Sequence, residues 1–152
     1  METKTKLTAY NQDIQKYIEK GNAEAKREII QEVKEEALTN GINFNRLFPS
    51  GSKRYKILDE IVYMLSVGGI CKIASETLAK NTDSSVRTVK DAVKGIKQLR
   101  CFIVGGLADG KNKYVFLYKN HADFKEIITN VFFLDTAQYI LDSRLLITRQ
   151  AG

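Results

Sequence analysis

The 152-residue chain has one proline, one histidine, two cysteines and no tryptophan. Each scarcity removes a class of chemistry. A lone histidine, His121, leaves no His-based metal site and few acid–base dyads. Adding Cys71 and Cys101 does not complete a zinc finger. These thiols are expected to be free and to pack as small apolar side chains. No stretch approaches the roughly 18 apolar residues of a membrane span, so no membrane partner is expected. Met1-Glu2-Thr3-Lys4 leads into no apolar leader core, so a cytoplasmic location is expected. Acidic neighbours such as Glu35-Glu36 fall on a solvated helix, and no catalytic triad is recognisable. The chain is therefore expected to be no enzyme and to use no cofactor and no metal.

Gly105 to Lys111 matches the G-x-x-x-x-G-K portion of a phosphate-binding loop. Position 112 is Asn112, where a Ser or Thr must hold magnesium. The segment also leads into the strand-like Tyr114-Val115-Phe116 instead of a helix. A hairpin turn accounts for Asp109 and the glycines.

What is present is positive charge in one place. The net charge is +6 over the whole chain. Residues 1–52 hold eight Lys/Arg against eight Asp/Glu, and residues 120–152 hold three against four. Residues 53–119 hold thirteen against six, a local excess of +7. A basic middle between neutral ends points to a localised anionic partner.

Hydrophobic periodicity divides the chain into three segments. In residues 1–52, Leu7, Tyr10, Ile14, Tyr17 and Ile18 recur at helical spacing up to Gly21-Asn22. Ala23 to Leu38 predicts a second helix with Ile30, Val33 and Ala37 on one stripe, stopped by Asn40-Gly41. Asn43 to Ser52 holds the only proline and reads as a linker. In residues 53–119, Ile57, Ile61, Val62, Met64 and Leu65 predict a helix ending at Gly68-Gly69. Cys71 to Ala74 is strand-like. Ser75 is a candidate N-cap for a short helix through Asn81, and Ser85 for the next one. Val89, Val93, Ile96 and Leu99 form the buried stripe of that next helix. Arg100–Leu107 and Tyr114–Tyr118 read as a β-hairpin. In residues 120–152, Phe124, Ile127, Ile128, Val131 and Phe132 form a strong stripe, continued by apolar residues to Ile147. The expected fold class is mainly α with a small antiparallel hairpin.

The order helix, short strand, helix, turn, helix, hairpin is that of a winged helix. Ile73-Ala74-Ser75-Glu76-Thr77-Leu78-Ala79-Lys80 resembles the second helix of bacterial winged helix-turn-helix DNA-binding proteins. Ser85-Val86-Arg87-Thr88-Val89 resembles the start of their recognition helix. Phe102-Ile103-Val104 with Gly110-Lys111-Asn112-Lys113-Tyr114 resembles their wing. The resemblance covers about residues 54–119. It departs at Gly95, inside the third helix, and in the glycine-free turn Thr82-Asp83-Ser84. Gly95 is expected to allow close packing against the domain's first helix.

The resemblance implies that the helix from Ser85 enters a major groove. Burial of Val89, Val93, Ile96 and Leu99 leaves Arg87, Lys90, Asp91, Lys94 and Lys97 on the outer face. Arg87 in the first turn suits a bidentate contact to guanine. Ser85, Thr88 and free N–H groups at the helix start suit phosphates. Lys111, Asn112 and Lys113 at the wing suit a phosphate or the minor groove. The expected partner is double-stranded DNA, and the expected role is a transcriptional regulator, nucleoid-associated when bound. It is expected to act as a homodimer through its terminal helices, which would double the few base pairs one helix reads. A DNA-replication or plasmid- or phage-maintenance protein is one alternative. A protein-interaction module that binds no DNA is another.

Overall fold

The computed structural model describes residues 7–133, a mixed α/β chain. In order, the elements are β1 (Thr8–Ala9), α1 (Asn11–Gln15), α2 (Ala23–Thr39), α3 (Phe44–Leu47), α4 (Lys53–Leu65), β2 (Ile70–Ala74), α5 (Ser75–Asn81), α6 (Val86–Leu99), β3 (Phe102–Leu107), β4 (Lys113–Tyr118) and α7 (Phe124–Phe132). The strands form one mixed sheet in the order β1-β3-β4-β2. The expected small hairpin is thus only the centre of the sheet. β2 adds antiparallel to β4, and β1 adds parallel to β3.

The sheet is buried on both faces. Cys71, Ile73, Phe102, Phe116 and Tyr118 face a layer built from α2 to α6. Ile70, Ile103, Leu107, Val115 and Leu117 face α1 and α7 on the other side. The run Tyr114-Val115-Phe116-Leu117-Tyr118 carries the signature. A strand with one wet face alternates polar and apolar residues; one covered on both faces does not.

Three expectations change for one reason, burial by distant parts of the chain. The stripe Leu7, Tyr10, Ile14, Tyr17 and Ile18 is not one helix. Its first residues run extended, with the Gly106 N–H donating to Leu7 O at 3.0 Å and the Ala108 N–H to Ala9 O at 2.7 Å. The stretch Asn43–Ser52, expected as a linker, carries α3 and buries Phe44 and Phe48, the latter completely. The aromatic rings of Phe44 and Phe48 lie 5.5 Å apart, and the core that holds them extends from Ile29 to Tyr118. The stripe of α7, expected to help build a dimer, lies against the sheet of its own chain. The rest of the expected C-terminal helix, residues 134–152, lies outside the described residues.

Caps and turns follow local chemistry. Asn22 and Ser52 accept the N–H of Ala25 and Tyr55 at 2.8 and 3.1 Å, starting α2 and α4. Ser75 does not cap α5; it is the first helical residue, and its N–H donates to Asn112 O at 3.0 Å. Gly69 sits at φ +84 beneath the ring of His121. That imidazole accepts the Asp123 N–H at Nδ1 (3.0 Å) and donates from Nε2 to Val67 O (2.7 Å), which fixes its tautomer.

Candidate nucleic-acid interface

Helix α6 begins where its sequence says it should. The Ser85 hydroxyl accepts the Thr88 N–H at 3.1 Å and lies 2.9 Å from the Thr88 hydroxyl. The preceding turn needs a residue at positive φ, a role glycine usually fills. Asp83 fills it at φ 52, as Asp tolerates better than most residues. The turn closes through the Ser84 N–H to Ala79 O at 2.9 Å and the Thr82 hydroxyl to Leu78 O at 2.7 Å. Lys53 at the start of α4 reaches Asp83 at 3.5 Å.

The helix buries Val89, Ala92, Val93, Gly95, Ile96 and Leu99. Gly95 does permit a close approach, but the neighbour is Phe48. A Cβ at position 95 would lie 3.0 Å from the ring's Cζ. The expectation of α4 as the close neighbour is corrected accordingly, because the buried ring of Phe48 occupies the space under Gly95.

The outer face is open. Ser85, Arg87, Lys90, Asp91, Lys94 and Lys97 are exposed, and Thr88 is half-buried. Residues seven apart share a line along a helix, so Arg87 and Lys94 form one row and Lys90 and Lys97 the next. The 14-residue helix is about 21 Å long at 1.5 Å per residue, enough to lie across a groove. Lys111, Asn112 and Lys113 are exposed at the turn between β3 and β4, with Asn112 at φ 56. Among the described residues, no hydrogen bond or ion pair engages the side chains of Arg87, Lys90, Lys94, Lys97, Lys111 or Lys113. These charges are therefore not consumed by the fold.

The hairpin turn carries two contacts that the sequence did not reveal. The carboxylate of Asp109 accepts the N–H of Asn11 at 3.1 Å, across 98 residues. On the other side, Asn112 O accepts the Ser75 N–H. The Asp109-Gly110 pair marks a turn by composition, but nothing local announces its partners.

The two cysteines are both buried and free. Burial pushes the Cys71 thiol well above its usual range, and pushes Cys101 up to about 12 with help from the Glu36 carboxylate. Thiols held protonated are poor nucleophiles. Cys71 lies on β2 and Cys101 immediately before β3, with β4 between them. Two strand spacings, roughly 9.5 Å, exceed the reach of a disulfide. Among the described residues, no group of three His, Cys, Asp or Glu could hold a metal ion. No helix among them is long and apolar enough to cross a membrane.

No family model matches the chain, and neither a curated protein nor a solved structure matches it.

Proposed function

We propose that Lys53–Lys119 is a winged helix-turn-helix and that the chain is a sequence-specific binder of double-stranded DNA, a regulator of transcription and not an enzyme. The observation that carries this reading is the cationic outer face of α6, exposed and free of ion pairs among the described residues, together with the exposed Lys111 and Lys113 on the turn between β3 and β4. The order α4, β2, α5, α6, β3, β4 and the pairing of β2 with β4 support the winged-helix reading.

In this arrangement α6 lies in the major groove. Arg87, in the first turn of the helix, presents two parallel N–H groups to the O6 and N7 edge of guanine. Lys90, Lys94 and Lys97 neutralise phosphates or reach bases further along. The wing turn lies beside the groove, with Lys111 and Lys113 on the backbone. Ser85 and Thr88 already satisfy each other at the helix start. They guide a phosphate only through their spare hydroxyl capacity. One helix spans few base pairs, so we further infer that two copies act together on a paired site. Their contact must lie outside the buried stripe of α7.

Six unpaired cations set a scale. If all six displace counterions, log K falls with log salt at a slope of about −5, a loss of about 10³ between about 50 and 200 mM salt. Duplex titration across that range tests the reading. Arg87→Ala should cost about 1–3 kcal/mol and relax base preference. Lys111→Ala should weaken all duplexes alike and flatten the slope by about 1. A parent protein that ignores duplex DNA at the lowest salt sinks the proposal.

A further inference from the structure

The turn that carries the wing lysines is tied to the N-terminal segment, although more than ninety residues separate them. Leu7–Ala9 runs beside the end of β3: the Gly106 N–H donates to Leu7 O at 3.0 Å and the Ala108 N–H to Ala9 O at 2.7 Å. The chain then turns into α1, and the first N–H of that helix, on Asn11, meets the Asp109 carboxylate at 3.1 Å. The Asn11 side chain in turn accepts from the Lys72 ammonium on β2. A Cβ at Gly105 would meet Leu7 O at 2.9 Å, so the close approach of this segment requires glycine there. On the far side of the turn, the Ser75 N–H donates to Asn112 O at 3.0 Å.

We propose that residues 7–11 are a strap that positions the wing, and that Asp109 is the positioning residue through which the strap holds Lys111 and Lys113 in line with α6. This rests on the DNA-binding reading for its functional consequence. A hairpin tip held only by its own two strands samples many directions. One tied at Ala108, Asp109 and Asn112 presents its lysines with that freedom already removed, which is the benefit of preorganisation. The strap also makes residues 7–11 a handle on DNA affinity.

The test uses the full chain in four forms: parent, Asp109→Ala, Asp109→Asn and Asn11→Pro. Asp109→Asn keeps an oxygen that can accept the Asn11 N–H. Asn11→Pro removes that N–H at the first position of α1, where proline is well tolerated, and Tyr10 before it already has the extended backbone that proline requires (φ −91, ψ 143). The first readout is amide hydrogen exchange of the free protein at Ala108–Asn112. Exchange should speed up about three- to tenfold in Asp109→Ala and Asn11→Pro and stay near the parent in Asp109→Asn.

The second readout is duplex affinity against salt. Removing the Asp109 charge makes the turn more basic, so charge alone predicts tighter binding for both Asp109 variants. The strap predicts weaker binding, by about three- to tenfold, for Asp109→Ala and Asn11→Pro only, with a slope flattened by about 1–2. Unchanged exchange in Asp109→Ala, or Asp109→Asn exchanging as fast as Asp109→Ala, overturns the strap. Faster exchange with unchanged or tighter DNA binding overturns its role in positioning the lysines. If the parent binds no duplex, the DNA reading fails while the exchange measurements still decide the strap.

Discussion

Replacing Gly95 by alanine sets two effects of known size against each other. In the middle of a helix, alanine is better than glycine by about 1 kcal/mol, so propensity alone predicts a more stable protein. The tertiary environment predicts the reverse. The new methyl would stand 3.0 Å from Cζ and 3.3 Å from Cε2 of Phe48. That ring is fully buried and lies against Phe44, so it has little room to retreat. Forcing a methyl into a packed core costs about 1–3 kcal/mol. The net expectation is a loss of about 0–2 kcal/mol, read as a lower urea midpoint with an unchanged m-value. A double-mutant cycle separates the terms. Phe48→Leu is itself destabilising, but it frees space beneath α6. In that background, Gly95→Ala should become neutral or stabilising by up to about 1 kcal/mol. A parent protein made more stable by Gly95→Ala, or a cycle with no coupling, would refute the assignment of Phe48 as the ring that supports α6. Because α6 carries the proposed DNA contacts, a shift of its seat should also weaken duplex binding without altering any contacting residue.

Other outcomes follow from the same geometry. Gly69→Ala should destabilise by more than about 1 kcal/mol, since a methyl at φ +84 would also meet the His121 ring at 2.6 Å; thermal melting checks this. Cys101 titrates near 12 in the folded chain against an ordinary 9.0, and burial raises Cys71 and Tyr118 as well. A raised acid favours the folded state only while protonated, so this stability is intact below about pH 9 and drains as pH rises towards 12. Urea midpoints should therefore be insensitive to these groups between about pH 6 and 8 and fall above about pH 9. Both thiols should resist a thiol reagent near pH 8 until denaturant is added; prompt labelling of the native protein would contradict their burial.

Much of the central segment was legible because its signals are local. The stripe Val89, Val93, Ile96 and Leu99 appears buried on α6, and Ser85 caps that helix as its side chain suggests. The hairpin registers Val104 opposite Phe116 and Gly106 opposite Tyr114, around a turn whose composition marked it. The outer-face residues Arg87, Lys90, Lys94 and Lys97 are exposed as helical spacing requires. The errors occur where local pattern is ambiguous. Proline and serine around Phe48 look like a linker, yet two phenylalanines in ten residues can fill a core. An apolar stripe on α7 predicts only that something covers it.

Periodicity, capping residues and charge placement therefore determined the elements, their buried stripes and the basic face, because each depends on neighbours within one or two turns of chain. Tertiary structure alone decided what covers each stripe. It put β1 beside β3, Phe48 beneath Gly95, α7 on the sheet and Asn11 on Asp109. Those choices turn on shape, burial and backbone hydrogen bonds between segments far apart in sequence. An apolar side chain specifies that it must leave water, and only the folded chain specifies where it goes.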